Sequence, residues 1–213
     1  LKEKNILKNV SAKPYVVYVG RIDPDIDINK CDSNCLLEDS TLTQHTEDIE
    51  KFEKIRQRSR LYFVKTLKNL YGNLFKVYGN KYWKNYDIEY QDIGFDKKNR
   101  FNLYASAGIC VDFLGQSSNS SIISRSLEIF NAGALLVQWK SFQSEEVFGA
   151  EYSNQFCFTN ITELLNIIEN IMFYGLNHYK EIRKKGLDNL IKYQELRNTK
   201  CILKCIDIQN NNS

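Results

Sequence analysis

The stretch from Ile109 to Gln138 restricts the fold more than any other part of the sequence. An apolar run ends at Gly115, a cluster rich in serine and asparagine follows, and a segment with helical periodicity then ends at Gly133. A second apolar run, 134–137, begins at once. This pattern predicts a strand, a polar loop, a helix and a strand, and the loop falls where backbone N–H groups at a helix N-terminus bind anions.

The predicted helix in this stretch carries a polar stripe beside an apolar one. Ser121, Arg125 and Glu128 are spaced i, i+4 and i+7, which places them together on one face. An anion pocket followed by a charged pair on the same face is the arrangement expected for a nucleotide-type ligand. The alternative is an exposed ion pair between Arg125 and Glu128 that contributes about 0.3 kcal/mol.

Short strands and helices alternate along the rest of the chain. Strands are predicted at 15–20, 74–78, 87–93, 109–115, 134–137 and 155–158. Helices are predicted at 47–70, 99–107, 160–171 and 178–200, and a further helix carries Arg125 and Glu128 and is closed by Gly133. Segments 81–85 and 138–153 are predicted to be loops, the first with exposed Tyr82 and Trp83. The alternation predicts an α/β fold, a Rossmann-like parallel sheet with helices on both faces.

Glycines follow several of the predicted strands. Gly20, Gly79 and Gly94 lie at strand ends, as does the polar loop 116–121. Ligands of parallel α/β sheets bind at the carboxyl ends of the strands, so these positions mark one edge of the sheet as the expected site. Arg21 at this edge could meet a phosphate or pair with a neighbouring aspartate.

Charge and composition indicate the domain organisation. The 213 residues, 43% of them hydrophobic, suffice for one sizeable α/β domain. Residues 1–13 are predicted to be a linker or lead-in, 14–205 the domain and 206–213 a flexible tail. Residues 22–48 form a long acidic insertion without clear periodicity, and a segment of this kind in a compact domain is usually functional or disordered.

The acidic and basic residues are unevenly distributed. Residues 21–50 carry nine acids against two basic residues, whereas residues 51–100 carry thirteen basic residues against five acids. A basic face could attract a phosphorylated ligand or an anionic membrane surface, or it is a set of solvated helix faces. The net charge of +3 does not indicate nucleic acid as a partner.

Targeting signals and the first residue bear on location and completeness. The sequence has neither a signal-peptide pattern nor an apolar run long enough for a bilayer, which predicts a cytoplasmic protein. The chain begins at Leu1 and its only methionine is Met172, so a fragment or an excised domain is expected.

The six cysteines do not form a recognisable metal motif. Cys31 and Cys35, and likewise Cys201 and Cys205, are separated by three residues rather than by the two usual for zinc, and no histidine lies close to either pair. No metal site is therefore predicted, and unpaired cysteines are the default. The remaining two, Cys110 and Cys157, fall in apolar runs and are expected to be small buried side chains.

Four segments occur in the order seen in one enzyme superfamily. They read YVVYVGR at 15–21, VYG at 77–79, LYASAGICV at 103–111 and SRSLEIFNAGA at 124–134. Over roughly residues 13–200 the chain resembles the C-terminal, donor-binding, Rossmann-like half of GT-B glycosyltransferases of the "glycosyl transferases group 1" superfamily. The hallmark of the closest branch, approximately Arg-x-x-Glu-x-x-x-x-Gly, is matched by Arg125, Glu128 and Gly133.

The resemblance implies a role for each candidate residue. Glu128 would accept hydrogen bonds from the ribose hydroxyls of a nucleotide-diphosphate sugar, the donor substrate. The base would lie near Gln91, Asp92, Ile93 and Gly94. The residues implied for the diphosphate are Gly20, Arg21, Asn119, Ser120, Ser121 and Arg125. No cofactor or metal ion is implied.

The chain departs from the family at the sugar site and lacks a clear base. Many relatives carry an acid eight residues before the ribose-binding glutamate, where Ser120 stands here, so the donor sugar and the stereochemical outcome do not carry over. Neither His45, in the acidic insertion, nor His178 is a convincing general base. The resemblance thus implies a glycosyltransferase that takes its acceptor, of unknown kind, and often its base from an upstream N-terminal GT-B domain.

Two alternatives remain beside this interpretation. One is a degenerate, non-catalytic GT-B half that serves as a binding or scaffolding module. The other is a flavodoxin- or receiver-like domain, which is disfavoured because a receiver needs acids at its strand ends and Asp112 is expected inside its strand.

Overall fold

The computed structural model describes residues 14–31, 46–92, 94, 96–113, 119–141 and 143–211 of the chain. The strands are β1 (Tyr15–Val19), β2 (Phe75–Tyr78), β3 (Tyr90–Gln91), β4 (Gly108–Asp112), β5 (Leu135–Trp139) and β6 (Cys157–Phe158). The helices are α1 (Thr46–Tyr71), α2 (Lys97–Ala107), α3 (Asn119–Asn131), α4 (Ser144–Phe148), α5 (Ala150–Phe156), α6 (Ile161–Tyr174) and α7 (Lys180–Asn211). The predicted linker, 1–13, lies outside the described residues.

The six strands form a single parallel sheet in the order β3-β2-β1-β4-β5-β6. The predicted α/β, Rossmann-like architecture is confirmed, since this is the strand order of dinucleotide-binding folds. Flavodoxin- and receiver-like sheets have the order 2-1-3-4-5, so that alternative is excluded. The expectation that Asp112 lies inside its strand is wrong, because Asp112 is the last residue of β4.

One face of the sheet packs against α1 and α6. The ring of Phe63 in α1 contacts those of Trp139 and Phe158, at the ends of β5 and β6. On α6, the fully buried residues Leu164 and Ile168 are four apart, the spacing that turns one helical stripe towards a core. These contacts make the face a continuous apolar layer.

The opposite face packs against α2, α3, α5 and α7. The Tyr152 hydroxyl donates to the Leu136 carbonyl at 2.7 Å and accepts from the Leu136 N–H at 3.2 Å, which joins α5 to β5. Arg183 of α7 donates to the Phe130 carbonyl, 3.4 Å away at the end of α3. The helices of this face are therefore held to the sheet and to one another by buried polar contacts as well as by apolar packing.

The predicted start of α6 is confirmed, with one change in its partners. The Asn160 side chain accepts from the Glu163 N–H at 2.9 Å, which makes it the N-cap of the helix. Glu163 does not return to the Asn160 N–H as in a capping box but accepts from the N–H of Thr159 at 2.6 Å. The Glu163 side chain therefore accepts from the residue before the N-cap instead of from the N-cap itself.

The segment 81–85, predicted to be a loop with exposed aromatic side chains, is helical in the structure. Residues Lys81–Tyr86 form a 3-10 helix, and the Trp83 side chain is fully buried. The indole Nε1 of Trp83 donates to the Gly20 carbonyl at 2.9 Å, so the polar end of the ring is satisfied away from water. The acceptor that allows the Trp83 side chain to be buried belongs to the end of a distant strand. The local sequence therefore does not indicate that Trp83 is buried.

The segment 138–153 is also not a loop, since it contains α4 and most of α5. Glu145 and Glu146 of this segment lie exposed in the first turn of α4, where acids interact favourably with the helix dipole. Gly149 separates the two helices with a φ of 82°. The last helix, α7, ends at Asn211 rather than near residue 200.

Candidate functional site

The strand order places a topological switch point between β1 and β4. From β1 the chain proceeds to β2 and β3 on one side, and β4, β5 and β6 follow on the other side. Ligands of open α/β sheets bind in the crevice at such a point, outside the carboxyl ends of the strands. Here those ends are Val19 of β1 and Asp112 of β4, and the candidate site is built from the side chains that surround them.

Arg125 lies across this switch point. Its Nη1 donates to the Val19 carbonyl at 3.2 Å and to Oδ1 of Asp112 at 3.3 Å, so one guanidinium contacts both strand ends. The side chain of Asp112 is 6% exposed and that of Arg125 is 28% exposed. Burial opposes the charge of Arg125, but the nearby Asp112 and Tyr18 outweigh it and raise the pKa of the guanidinium above its ordinary value. A fixed cation therefore lies at the crevice.

Glu128, one turn further along α3, is paired with another helix. Its Oε2 accepts from Nε of Arg100 at 3.1 Å, and its Oε1 accepts from Nη2 at 3.0 Å. The side chains are 32% and 19% exposed, respectively. The alternative of an ion pair between Arg125 and Glu128 is wrong, because each of them has a different partner in the structure. The helix face carries two separate ion pairs.

Backbone groups of Gly20 and Arg21 are already hydrogen-bonded within the protein. The Gly20 N–H donates to the Tyr78 carbonyl at 2.9 Å, while the Gly20 carbonyl accepts from Trp83. The Arg21 carbonyl accepts from Nη1 of Arg60 at 2.7 Å, and the Arg21 side chain is exposed. Gly20 thus shapes the edge without offering a free N–H to a diphosphate, whereas the exposed position of Arg21 is compatible with phosphate binding.

The other predicted diphosphate residues lie at the N-terminus of α3. The helix begins at Asn119 and continues through Ser120 and Ser121. A helix that follows a parallel strand begins at the carboxyl edge of the sheet, so this N-terminus lies on the same edge as Arg125. Their side chains, and the preceding residues 114–118, lie outside the described part of the chain.

The residues predicted near the base lie on the outermost strand at this edge. Gln91 ends β3, and its carbonyl accepts from the Gly79 N–H at 3.0 Å. The Gly94 N–H donates to Oδ1 of Asp92 at 2.9 Å, which closes a tight turn at the exposed Gly94. Ile93 is outside the described residues. Because β1 lies two strands from β3, roughly 10 Å separates this turn from the switch point.

Sequence reasoning missed a buried arginine beneath the Arg21 backbone. Arg60 of α1 is 4% exposed, and its Nη1 also donates to Oε1 of Gln57 at 3.1 Å. The positive charge of Arg60 favours the ionised form of the Tyr18 hydroxyl. That hydroxyl is fully buried and has no hydrogen-bond partner among the described residues. Burial raises the pKa of Tyr18, against the opposing effects of Arg60 and Arg125. The i, i+4 spacing of Arg56 and Arg60 was the available sequence signal.

The structure has a closed void beside Arg125 and an open groove beside α1. The void beside Arg125, lined also by Val17, Tyr104 and Ile129, is too small for a water molecule. An open groove of about 470 Å³ lies between residues 23–27 and α1 and is lined by charged side chains of both signs. The void beside Arg125 therefore admits no ligand atom.

The predicted burial of two cysteines is confirmed. Cys110 and Cys157 are buried as predicted, and burial raises the pKa of the Cys157 thiol to about 11, which keeps it protonated and unreactive. In the described ranges, no three His, Cys, Asp or Glu side chains are grouped as a metal site requires. Cys35 and the side chains of Cys201 and Cys205 lie outside those ranges.

The fold and site define an α/β protein with a Rossmann-like sheet and a cationic switch point. Comparison with protein-family models, with curated proteins and with solved structures finds no match. None of the helices within the described residues is long and apolar enough to cross a membrane.

Proposed function

We propose that this chain is the donor-binding domain of a GT-B glycosyltransferase and binds a nucleotide-diphosphate sugar at the β1–β4 switch point. The observation that carries the proposal is the position of Arg125, whose guanidinium contacts the ends of both strands and keeps its charge there. A nucleotide diphosphate needs such a fixed cation, and charge-assisted hydrogen bonds from arginine are well suited to phosphate oxygens.

In this proposal the diphosphate lies between Arg125 and the N-terminus of α3. The first N–H groups of a helix have no partners within the helix and carry a partial positive charge, which suits an anion. The exposed Arg21 side chain approaches from the end of β1, on a backbone that the Arg60 guanidinium holds in place. In the transfer step, these groups stabilise the negative charge that develops on the departing nucleotide diphosphate.

The ribose lies at Glu128 in this proposal. An ionised carboxylate has about four lone-pair sites, and the Arg100 fork occupies two of them. The outer lone pair of either oxygen remains and can accept from a ribose hydroxyl, whereas a contact with both vicinal hydroxyls, as in a dinucleotide-binding fold, requires the fork to release one oxygen. The partial exposure of the Glu128 side chain leaves it accessible to a ligand.

The acceptor and the general base come from an upstream N-terminal domain in this proposal. His178 stacks on Tyr174, 4.9 Å away, in the turn Leu176–Tyr179. Leu176 of this turn lies against Gly108, the first residue of β4, so the turn is at the amino edge of the sheet, opposite Arg125. His178 therefore has no access to a donor at the switch point, and His45 lies outside the described residues.

A second candidate function is a non-catalytic binding or scaffolding module. The observation in its favour is that both proposed ligand residues already have protein partners, Arg125 with Asp112 and Glu128 with Arg100. A chain whose charged groups are paired internally has less need of a ligand to compensate them.

Titration calorimetry with UDP-, GDP- and dTDP-sugars distinguishes the two candidates. We expect one of these donors to bind, and Glu128→Ala to weaken its binding at least about tenfold, because a hydrogen bond to a charged acceptor is lost. Glu151→Ala is the matched control, since Glu151 is an exposed acid that pairs with Lys185 on the α5–α7 side. Absence of binding to every donor, or equal binding by Glu128→Ala, would sink the donor-site proposal and leave the scaffolding module.

A further inference from the structure

Aromatic side chains at the end of α6 lie exposed beside one another. Phe173 is 81% exposed and Tyr174 is 56% exposed, and the centres of their rings are 4.9 Å apart. The exposed ring of His178 stacks on that of Tyr174, also at 4.9 Å. Single exposed apolar side chains are ordinary, whereas contiguous ones mark contact surfaces. We call these three residues the aromatic patch.

The first described residue of the chain lies next to the aromatic patch. Pro14 and Leu176 both lie against Gly108, since a Cβ atom there would be 2.5 Å from Cδ1 of Leu176 and 3.2 Å from Cβ of Pro14. Phe173 is three residues from Leu176, so at most about 11 Å separates their Cα atoms. Residues 1–13, the lead-in segment, therefore join the domain beside the patch.

The lead-in segment carries apolar side chains that can cover aromatic rings. Ile6, Leu7 and Val10 lie within five consecutive positions. An extended chain reaches about 13 Å from Pro14 to Val10 and about 26 Å to Ile6, so the segment is long enough to reach the patch. Because the segment is tethered there, its effective concentration is in the millimolar range, and a weak apolar contact is enough to hold it.

The charges of the lead-in segment and of α6 are complementary. The segment contains four lysines and one glutamate. In contrast, α6 contains two acids and no basic residue, and the second of these acids, Glu169, is exposed one turn before Phe173. A lysine of the segment can therefore approach Glu169 while the apolar side chains cover the rings.

We propose that the lead-in segment docks on the aromatic patch through Ile6, Leu7 and Val10. The contact is intramolecular and holds the polypeptide that leads into β1 at the amino edge of the sheet, opposite the proposed nucleotide site. The size of the patch favours this occupant over a second copy of the chain. Two aromatic rings bury at most about 500 Å², which is less than the roughly 800 Å² that each partner buries in a stable interface.

Amide hydrogen exchange of the whole chain, followed by NMR, tests the proposal. We expect the amides of Ile6, Leu7 and Val10 to be protected in the wild type, and Phe173→Asp to reduce their protection about tenfold, because a charge replaces the most exposed ring. Absence of protection in the wild type, or equal protection in Phe173→Asp, overturns the proposal.

Leu196→Asp is the matched control for this measurement. Leu196 is 63% exposed and lies sixteen residues beyond Lys180, the first residue of α7, which is about 24 Å along the helix axis. The same charge is therefore introduced in place of an exposed apolar side chain away from the patch, and we expect the protection of the lead-in segment to be unchanged.

A reciprocal variant tests the contact from the other side. Leu7→Asp should shift the ring resonances of Phe173 and Tyr174, whereas Leu196→Asp should leave them in place. If these resonances depend on protein concentration, a second copy covers the patch. If they shift with phosphatidylglycerol vesicles but not in Leu7→Asp, a lipid surface covers it. Either result overturns the proposal, and neither depends on whether the chain binds a nucleotide.

Discussion

Replacing Arg125 with methionine is expected to destabilise the fold by about 2–3 kcal/mol, since a carboxylate that is 6% exposed loses its guanidinium partner. The partial exposure of Arg125 places this effect below the range for a fully buried pair. Methionine retains much of the apolar volume of the arginine stem, so packing changes little. Denaturant unfolding of wild type and variant measures the difference.

The matched control for this prediction is a double variant in which Asp112 is made neutral as well. In the double variant Arg125→Met/Asp112→Asn, neither charge of this pair is left, and we expect stability within about 1 kcal/mol of the wild type. Strictly additive losses would contradict the account, because they would mean that the two side chains do not compensate each other. Nucleotide binding should be lost in Arg125→Met and in the double variant alike, since neither replacement side chain supplies a cation.

Gly79→Ala is expected to destabilise the protein by about 3 kcal/mol through overpacking at the end of β2. A Cβ atom at this position would overlap the Gly20 carbonyl oxygen and would lie 2.7 Å from Nε1 of Trp83. Neither neighbour can move freely, because they are hydrogen-bonded to each other and Trp83 is fully buried. Denaturant unfolding again gives the magnitude, and loss of the Trp83 contact should alter the tryptophan fluorescence of the native state.

Gly72→Ala separates steric overlap from backbone strain. Gly72 has a φ of 54° and no atom within 4 Å of the position that a Cβ would take, so alanine there costs only about 1 kcal/mol of conformational strain. Gly79 has no such φ, which makes the expected loss at Gly79 steric alone. If the two variants were equally stable, the close approach of the β1 and β2 ends would not be a determinant of stability.

The sequence predicted the elements better than their polar contacts. Apolar runs followed by glycine identified the ends of β1 and β2, because a strand buried on both faces must be continuously apolar. The reason for the glycines was different from the predicted one. At Gly79 a Cβ would overlap the Gly20 carbonyl and approach Trp83, and this close approach between distant segments leaves no local signal. At Gly20 a Cβ would overlap the Tyr18 hydroxyl.

The partners of the candidate site residues were the least predictable feature. The pattern singled out Arg125 and Glu128 through their spacing on one helix, and Arg125 contacts the strand ends at the carboxyl edge. The spacing suggested that they pair with each other, but Asp112 and Arg100 compete for them from other elements. Such competition is decided by how β4 and α2 pack against α3, which is tertiary information. A periodic pattern predicts which residues share one face of a helix, but not which residues of other elements contact that face.

The most direct test of the central claim is an NMR titration of the ¹⁵N-labelled chain with the nucleotide diphosphate that binds. We predict that the saturable shifts concentrate on backbone amides of Arg21, Phe113 and Glu128 and on the guanidinium resonance of Arg125, all at the carboxyl edge around the switch point. Largest shifts in the turn Leu176–Tyr179, at the opposite edge, or no saturable shifts at all, would contradict a nucleotide-sugar site between β1 and β4.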